Sequence, residues 1–296
     1  MLIGILIFKK PTPAVLEIYD RFLEASAELG HNIVLLIEPL ISRSSDGTIL
    51  HDGEKLPAMD VIISRANFIE EPSLRTYAID LLMGAGFTVV NKGPGVGICK
   101  NKIAQHVLFD QQKIACPTWG IARDPKQALE VACSIGFPVV LKVAFGTHGK
   151  GVFYANDHET FSPIAEYLAI RDGNPVIVEE FIEEADRKDL RIFLIDGLVV
   201  AAMERQAAVG DIRANTSTGG TGHVTKLSKA EIHLAEDAAA AVNLDFVGVD
   251  MIRSKKGPLV LEINSNPGFK EIERVTEVDI AKLILEHAVS KVTKQS

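Results

Sequence analysis

Apolar residues in this chain come in short runs separated by turn formers. Residues 2–8 are apolar apart from one glycine, the pattern of a strand buried on both faces. From Pro13 onward, Val15, Ile18 and Phe22 fall at i, i+3 and i+7, which predicts a helix ending at Gly30. Residues 33–37, 61–64 and 88–91 are further short apolar runs bounded by Pro, Asp or Gly, and residues 73–83 read as a second helix. This order of strands and helices predicts a small α/β domain with a mainly parallel sheet over residues 1–95.

The segment Asn91-Lys92-Gly93-Pro94-Gly95 is dense in turn formers and marks a break. After it, a long helix carrying Lys102 is expected. Residues 138–143, 152–155, 176–181, 190–195, 199–205, 247–253 and 259–264 then read as strands, several with only turn residues between them. That is the signature of antiparallel hairpins, so residues 96–296 are expected to form an α+β region, closed by a helix over residues 279–292.

Composition narrows the function classes. With 47% hydrophobic and 24% charged residues among 296, the chain is an ordinary globular protein. A net charge of -8 advertises no basic face, which argues against direct nucleic-acid binding. Cys99, Cys116 and Cys133 form no C-x-x-C pair, so neither a disulfide framework nor a zinc site is expected. The charges at Lys9 and Lys10 follow the first apolar run, the reverse of a signal peptide. No run approaches the ~20 apolar residues of a membrane span. A cytoplasmic location without membrane attachment is the expectation.

The chemistry shows in polar residues that interrupt the later strands. Strict alternation over residues 259–264 puts Leu259, Leu261 and Ile263 on one face and Glu262 and Asn264 on the other. The preceding strand carries Asp250, and a hairpin that sets it opposite Val260 or Glu262 gathers Asp250, Glu262 and Asn264 on a common face. Two carboxylates and an amide oxygen suit magnesium. Alternation alone favours a solvent-facing hairpin. The tight turn Ser265-Asn266-Pro267-Gly268 directly after the pair shifts the balance toward a site. Asp189 and Arg191 likewise share a face opposite leucine and isoleucine, as do Asp211, Arg213 and Asn215.

Lys142 sits in an otherwise apolar strand, where a lysine either meets an anion or reaches out to solvent at the strand end. The glycine-rich stretch from Gly146 through Gly149 to Gly151 follows and lets backbone N–H groups approach a phosphate. It is not a Walker A loop, since a strand follows and Gly151 stands where Ser or Thr belongs. His148 within it reads as polar filler. No histidine pair or G-x-S-x-G elbow supplies a hydrolytic nucleophile.

Taken in order, these segments resemble the ATP-grasp fold and, within it, the RimK-type glutamate ligases. The resemblance rests on residues 51–57, 204–207, 210–215, 248–250 and 262–268. It implies an ATP-grasp domain over residues 96–296, with a lid-bearing subdomain at 96–178 and a metal-binding subdomain at 179–296 whose antiparallel sheets clasp ATP. Lys102 and Lys142 would grip the phosphates, the loop with Gly146, Gly149 and Gly151 would cover them, and Glu179, Glu180, Phe181 and Ile182 would form the adenine hinge. Asp189, Arg213, Ala214 and Asn215 would contact the nucleotide, with Arg213 and Asn215 catalytic at the acyl phosphate. Asp250, Glu262 and Asn264 would hold two magnesium ions, with manganese as a substitute, Glu262 bridging.

The activity implied is ATP-dependent joining of a carboxylate to an amine, with glutamate added to the C-terminal carboxylate of a ribosomal or other protein. A small-molecule ligase of coenzyme or amino-acid biosynthesis, and a non-catalytic ATP-binding scaffold, are the alternatives. A homo-oligomer, dimer or tetramer, is also implied. One departure stands out: Thr218 occupies the place of the arginine that usually precedes the paired glycines, and Arg65 and Arg205 are the cations that could serve instead.

Overall fold

The computed structural model describes residues 1–8, 12–68, 72–146, 151–171, 173–208 and 219–293. The N-terminal part runs β1 (Leu2–Ile7), α1 (Pro13–Glu28), β2 (Asn32–Ile37), β3 (Ile41–Arg43), β4 (Ile49–His51), β5 (Glu54–Lys55), β6 (Val61–Arg65), α2 (Tyr77–Gly84), β7 (Val89–Val90), α3 (Gly93–Lys100) and α4 (Lys102–Gln112). Strands β2-β1-β6-β7 form a parallel sheet, as the alternation of apolar runs and helices requires. Strands β3-β4-β5 form a small antiparallel sheet beside it.

Two sequence expectations change here. The helix expected over residues 73–83 is a 3-10 turn at Pro72–Leu74 followed by α2. The single long helix around Lys102 is two, because Asn101 adopts an extended conformation, ends α3, and caps α4 by accepting from the N–H groups of Ile103 and Ala104.

The segment expected to bear the lid, called the lid below, continues with β8 (Trp119–Ala122), α5 (Pro125–Ile135), β9 (Val139–Val143), β10 (Val152–Ala155), α6 (His158–Arg171) and β11 (Val176–Glu180), with an antiparallel sheet ordered β10-β9-β11-β8. The last part is β12 (Lys188–Ile195), β13 (Leu198–Gln206), β14 (Thr221–Val224), α7 (Lys229–Val242), β15 (Phe246–Ser254), β16 (Gly257–Asn264), α8 (Lys270–Thr276) and α9 (Ile280–Thr293). Its antiparallel sheet is ordered β14-β13-β12-β15-β16. Among the described residues, no helix is long and apolar enough to cross a membrane.

The apolar cores do not follow sequence order. One cluster joins Leu6, Leu36 and Ile62 to Leu190, Ile192, Val249 and Ile263. A second joins Ile3, Ile5 and Phe22 to Phe193, Phe246, Phe269 and Ile284. The lid keeps a third, lying wholly between Ala122 and Val178. Asn91 adds a polar clamp to the shared cores. Its buried amide donates to the carbonyls of Phe246 (2.7 Å) and Ser265 (3.0 Å) and accepts from the N–H groups of Asp245 (2.8 Å) and Phe246 (3.0 Å). Its hydrogen-bonding capacity is used in full, on two segments more than 150 residues away.

Candidate active site

The five-stranded sheet has one face that is half core and half polar. Period two along β12 places Phe193 and Ile195 in the second core and brings Asp189 and Arg191 onto the same side, further along. On β15, Phe246 lies in that core and Asp250 two positions beyond Gly248. A side chain at Gly248 would meet Pro267, its Cβ coming within 2.7 Å of the proline ring, so glycine lets the turn after β16 lie on the sheet.

Asp250 pairs in register with Glu262, and Asn264 donates to the Asp250 carboxylate at 3.4 Å. The three residues singled out as metal ligands therefore share a face. The strict alternation expected for β16 does not hold, however. A bulge sets Met251 opposite Val260 and Asp250 opposite Glu262, so Leu261 is the extra residue. Val260 and Ile263 enter the core, rather than Leu259, Leu261 and Ile263 sharing one face. The bulge precedes Glu262 and leaves Glu262 and Asn264 on the cleft side.

Guanidinium groups brace the carboxylates. Arg191 forks Asp250, with Nη2 at 2.8 Å from Oδ2. Arg205 forks Asp189 at 2.6 and 2.7 Å and reaches Asp250 Oδ2 at 3.2 Å. Arg205, one of the two cations considered as a stand-in at Thr218, is thus committed to two carboxylates, and these push its own pKa up against the effect of burial.

The lid contributes the opposite wall. Lys142 does not reach out to solvent; it is buried, and its Nζ lies 2.6 Å from Glu179 Oε2. Glu179 Oε1 lies 2.8 Å from His106 Nε2, while His106 Nδ1 lies 2.7 Å from the Lys102 carbonyl. Both ring nitrogens thus face oxygen atoms. Burial alone would raise the Glu179 carboxyl, but Lys142 and His106 outweigh it and hold it at about 2. The Glu179 side chain is therefore occupied inward. Glu180 holds the edge of the cleft, where Thr118 donates to its carboxylate at 2.8 Å. In the hinge, the N–H groups of Glu180 and Phe181 donate to the carbonyls of Thr118 and Pro138, and the Ile182 carbonyl accepts from Ala185. Phe181 also packs edge-on against Tyr154, with ring centroids 5.0 Å apart.

Lys102 spans the two walls. Its Nζ donates to the Gly146 carbonyl at 3.3 Å and lies 3.4 Å from Glu262 Oε2. Burial would raise the Glu262 carboxyl, yet Lys102, Lys142 and Arg191 pull it down to about 2. Gly151 ends the glycine-rich stretch with φ +84, a backbone region closed to most side chains. Gly149, Arg213, Ala214, Asn215 and Thr218 lie outside the described residues.

Sequence reasoning missed His106 and Gln105. Gln105 accepts from the Ile263 N–H at 2.7 Å and donates to the Cys99 carbonyl at 2.9 Å, so α4 fixes the position of β16. Both residues lie one turn past the Asn101 cap, but their partners are 73 and 158 residues away, and no local spacing announces them.

A model of the RimK-like ATP-grasp domain matches residues 99–288. The chain belongs to the RimK-like ATP-grasp family. It is 32% identical over 275 residues to a probable alpha-L-glutamate ligase of Marinomonas, covering 90% of this chain and 89% of that one. Its fold is similar to a RimK domain ATP-grasp protein from Sphaerobacter thermophilus, with a TM-score of 0.76, 18% identity, and 97% and 99% of the two chains covered. It is also similar to the ATP-grasp ligase PsnB complexed with minimal precursor, Mg and ADP, with a TM-score of 0.73, 17% identity, and 98% and 97% covered. Membership makes the chain an ATP-dependent ligase that forms C–N bonds.

The residues present fit the family's nucleotide and magnesium. Among the described residues no three His, Cys, Asp or Glu side chains converge as a metal cluster. Two carboxylates and an amide, those of Asp250, Glu262 and Asn264, lie together instead, a chemistry that suits magnesium and would leave coordination positions for phosphate oxygens and water.

Proposed function

We propose that this ligase adds glutamate to the C-terminal carboxylate of a protein or peptide. The observation that supports it most directly is the Lys102–Glu262 contact across the cleft, which puts a phosphate-binding type of cation against a metal-binding type of carboxylate. The relatives named as glutamate ligases support the choice of amino acid, and PsnB, solved with a minimal precursor, supports a peptide acceptor.

In this reading the acceptor carboxylate attacks the γ-phosphorus of ATP, the bond to the β-phosphate oxygen breaks, and ADP leaves. The amine of glutamate then attacks the acyl carbon, phosphate departs with the bonding pair, and the amine loses a proton. Lys102 and Lys142 hold phosphate oxygens, and the hinge from Glu179 to Ile182 holds the adenine. Asp189 lies on the nucleotide side of the polar face. Asp250, Glu262 and Asn264 would hold two magnesium ions, whose charge would offset that of the phosphoryl group. Gly146, Gly149 and Gly151 belong to the phosphate cover, and Arg213, Ala214 and Asn215 to the acyl-phosphate contacts. Arg191 and Arg205 keep Asp250 oriented while it is free of metal. His106 keeps a hydrogen bond to Glu179 when Lys142 turns to phosphate.

The test is phosphate release from ATP and magnesium with L-glutamate and a panel of peptide carboxylates, followed by mass spectrometry of the acceptors. Glutamyl additions to a C-terminus are the expected result. ATP turnover that modifies only small carboxylic acids would replace the protein acceptor with the small-molecule reading.

A further inference from the structure

Beside the Asp250–Glu262–Asn264 face lies a group of polar side chains, Arg65 and Ser265 buried and Lys100 half-buried, to which the ATP and metal roles give no work. Lys100 ends α3 with its Nζ 5.6 Å from the centre of the Phe68 ring. The charged groups that act on it are Glu262, Lys102 and Arg65, with the neighbouring Cys99 thiol, and among the described residues it forms no ion pair. Arg65 ends β6, is 4% exposed, and is ringed by Phe22, Phe246 and Phe269 at 5.2 to 5.9 Å. Its Nη2 donates to the Pro267 carbonyl at 3.0 Å, while its Nη1 has no partner among the described residues.

The turn after β16 comes to the same place. Asn266 donates to the Arg65 carbonyl at 3.3 Å, and the buried Ser265 Oγ and Asn266 Oδ1 are without partners. Among the described residues neither Lys100, at the end of α3, nor Arg65, at the carboxyl end of a parallel strand, forms an ion pair with a carboxylate. Burying one such cation without a counter-charge is costly, and burying two near each other more so. Burial pulls Lys100 down to about 8, against the pull of Glu262, and Arg65 down to about 9. A bound anion would relieve both.

We propose that Lys100 and Arg65 form the subsite for a carboxylate of the amine-donating amino acid, an assignment that rests on the ligase reading above. Lys100 supplies a point charge at the Phe68 end. Arg65 supplies the free N–H of its fork and ties the bound carboxylate to the turn that follows Asn264. The charge that Thr218 does not provide would then come from the N-terminal sheet and α3.

The test uses the full chain and the variants Lys100→Met and Arg65→Lys. Methionine keeps length and apolar packing on Phe68, and lysine keeps charge while removing the fork. Lys100→Met should raise the KM for L-glutamate about 10- to 100-fold, the size of a lost charge-assisted contact, with the KM for ATP changed by less than about twofold. Its preference for L-glutamate over the α- and γ-amides of glutamate should shrink by a similar factor. Arg65→Lys should lie between the two proteins. L-Glutamate binding to protein loaded with a non-hydrolysable ATP analogue and magnesium, measured by calorimetry, reports the subsite without turnover. Wild-type protein that binds glutamate through Lys100 but never ligates it overturns the ligase reading alone. Ligation of glutamate with an unchanged KM and unchanged amide preference in Lys100→Met overturns the subsite alone. Wild-type protein that neither binds nor ligates glutamate overturns both.

Discussion

The lid and the five-stranded sheet face each other across the cleft, and each supplies charged residues to it, yet they are built differently. The lid has its own core: among the described residues, Val139, Leu141, Phe161 and Val178 belong to an apolar cluster drawn from between Ala122 and Val178. The five-stranded sheet has no core of its own, because both its faces borrow apolar partners from the N-terminal strands and helices. The metal-type residues are therefore fixed by the largest packed mass in the molecule. Lys142 belongs to a unit with its own apolar core, and Lys102 joins that unit to the other wall through Gly146 and Glu262. A ligase that must admit ATP and then exclude water needs this division between a rigid floor and a separable cover.

Truncating one aromatic residue on each side should separate the two units. Phe22→Ala and Phe161→Ala each remove a fully buried ring and should each cost about 3–5 kcal/mol. Phe22→Ala should speed hydrogen exchange in both the N-terminal sheet and β12–β16, whereas Phe161→Ala should speed it only in the lid. Equal exchange gains across the chain in both variants would mean that the cores are not independent.

Next in size is the buried pair that crosses from β9 to β11. Lys142→Met leaves the Glu179 carboxylate with His106 as its partner, and should destabilise the nucleotide-free protein by about 3 kcal/mol besides weakening ATP binding. Adding Glu179→Gln should recover part of the stability and none of the ATP affinity. Thermal melts and nucleotide titrations of the single and double variants would show it. Full stability in Lys142→Met would mean that the pair contributes nothing to the lid.

On the floor, Glu262→Gln keeps shape and removes a charge. ADP formation should fall about 100-fold at an unchanged melting temperature, the loss expected for a directly coordinating group. Near-normal turnover would reduce Glu262 to a strand residue facing the cleft.

The smallest effect is a slope. The Glu179 carboxyl lies at about 2 when folded, against about 4.3 in an unfolded chain. The unfolded chain takes up the proton first as pH falls. The stability this residue contributes is thus complete above about pH 4.3 and fades as pH drops toward 2. Glu179→Gln should flatten the acid limb of the stability curve in that window, and identical slopes in the two proteins would remove the role of the Lys142–Glu179–His106 chain.

What could be read from the residues was whatever repeats locally. Apolar runs gave the strands nearly to their ends, and period-two polarity gave Asp250, Glu262 and Asn264 a common face. Elements announced by caps were legible in principle but went unread, such as α7, whose Ser228 and Glu231 form a capping box. The bulge at Leu261 carries no sequence mark, because Leu and Val serve a core or a bulge equally well. The roles of His106, Lys100 and Arg65 depend on partners brought in by the fold, so a spacing rule could not reach them. Arg65 was singled out only because Thr218 left a charge missing.

The Asn91 clamp has a consequence for how the chain is made. Its four partners lie on residues 245, 246 and 265, which leave the ribosome more than 150 residues after it. Through most of synthesis the N-terminal sheet waits with an unanswered amide and an uncovered apolar flank. That half-built state is the one most exposed to wrong partners, and it ends only when β15 and the turn after β16 arrive to cover it.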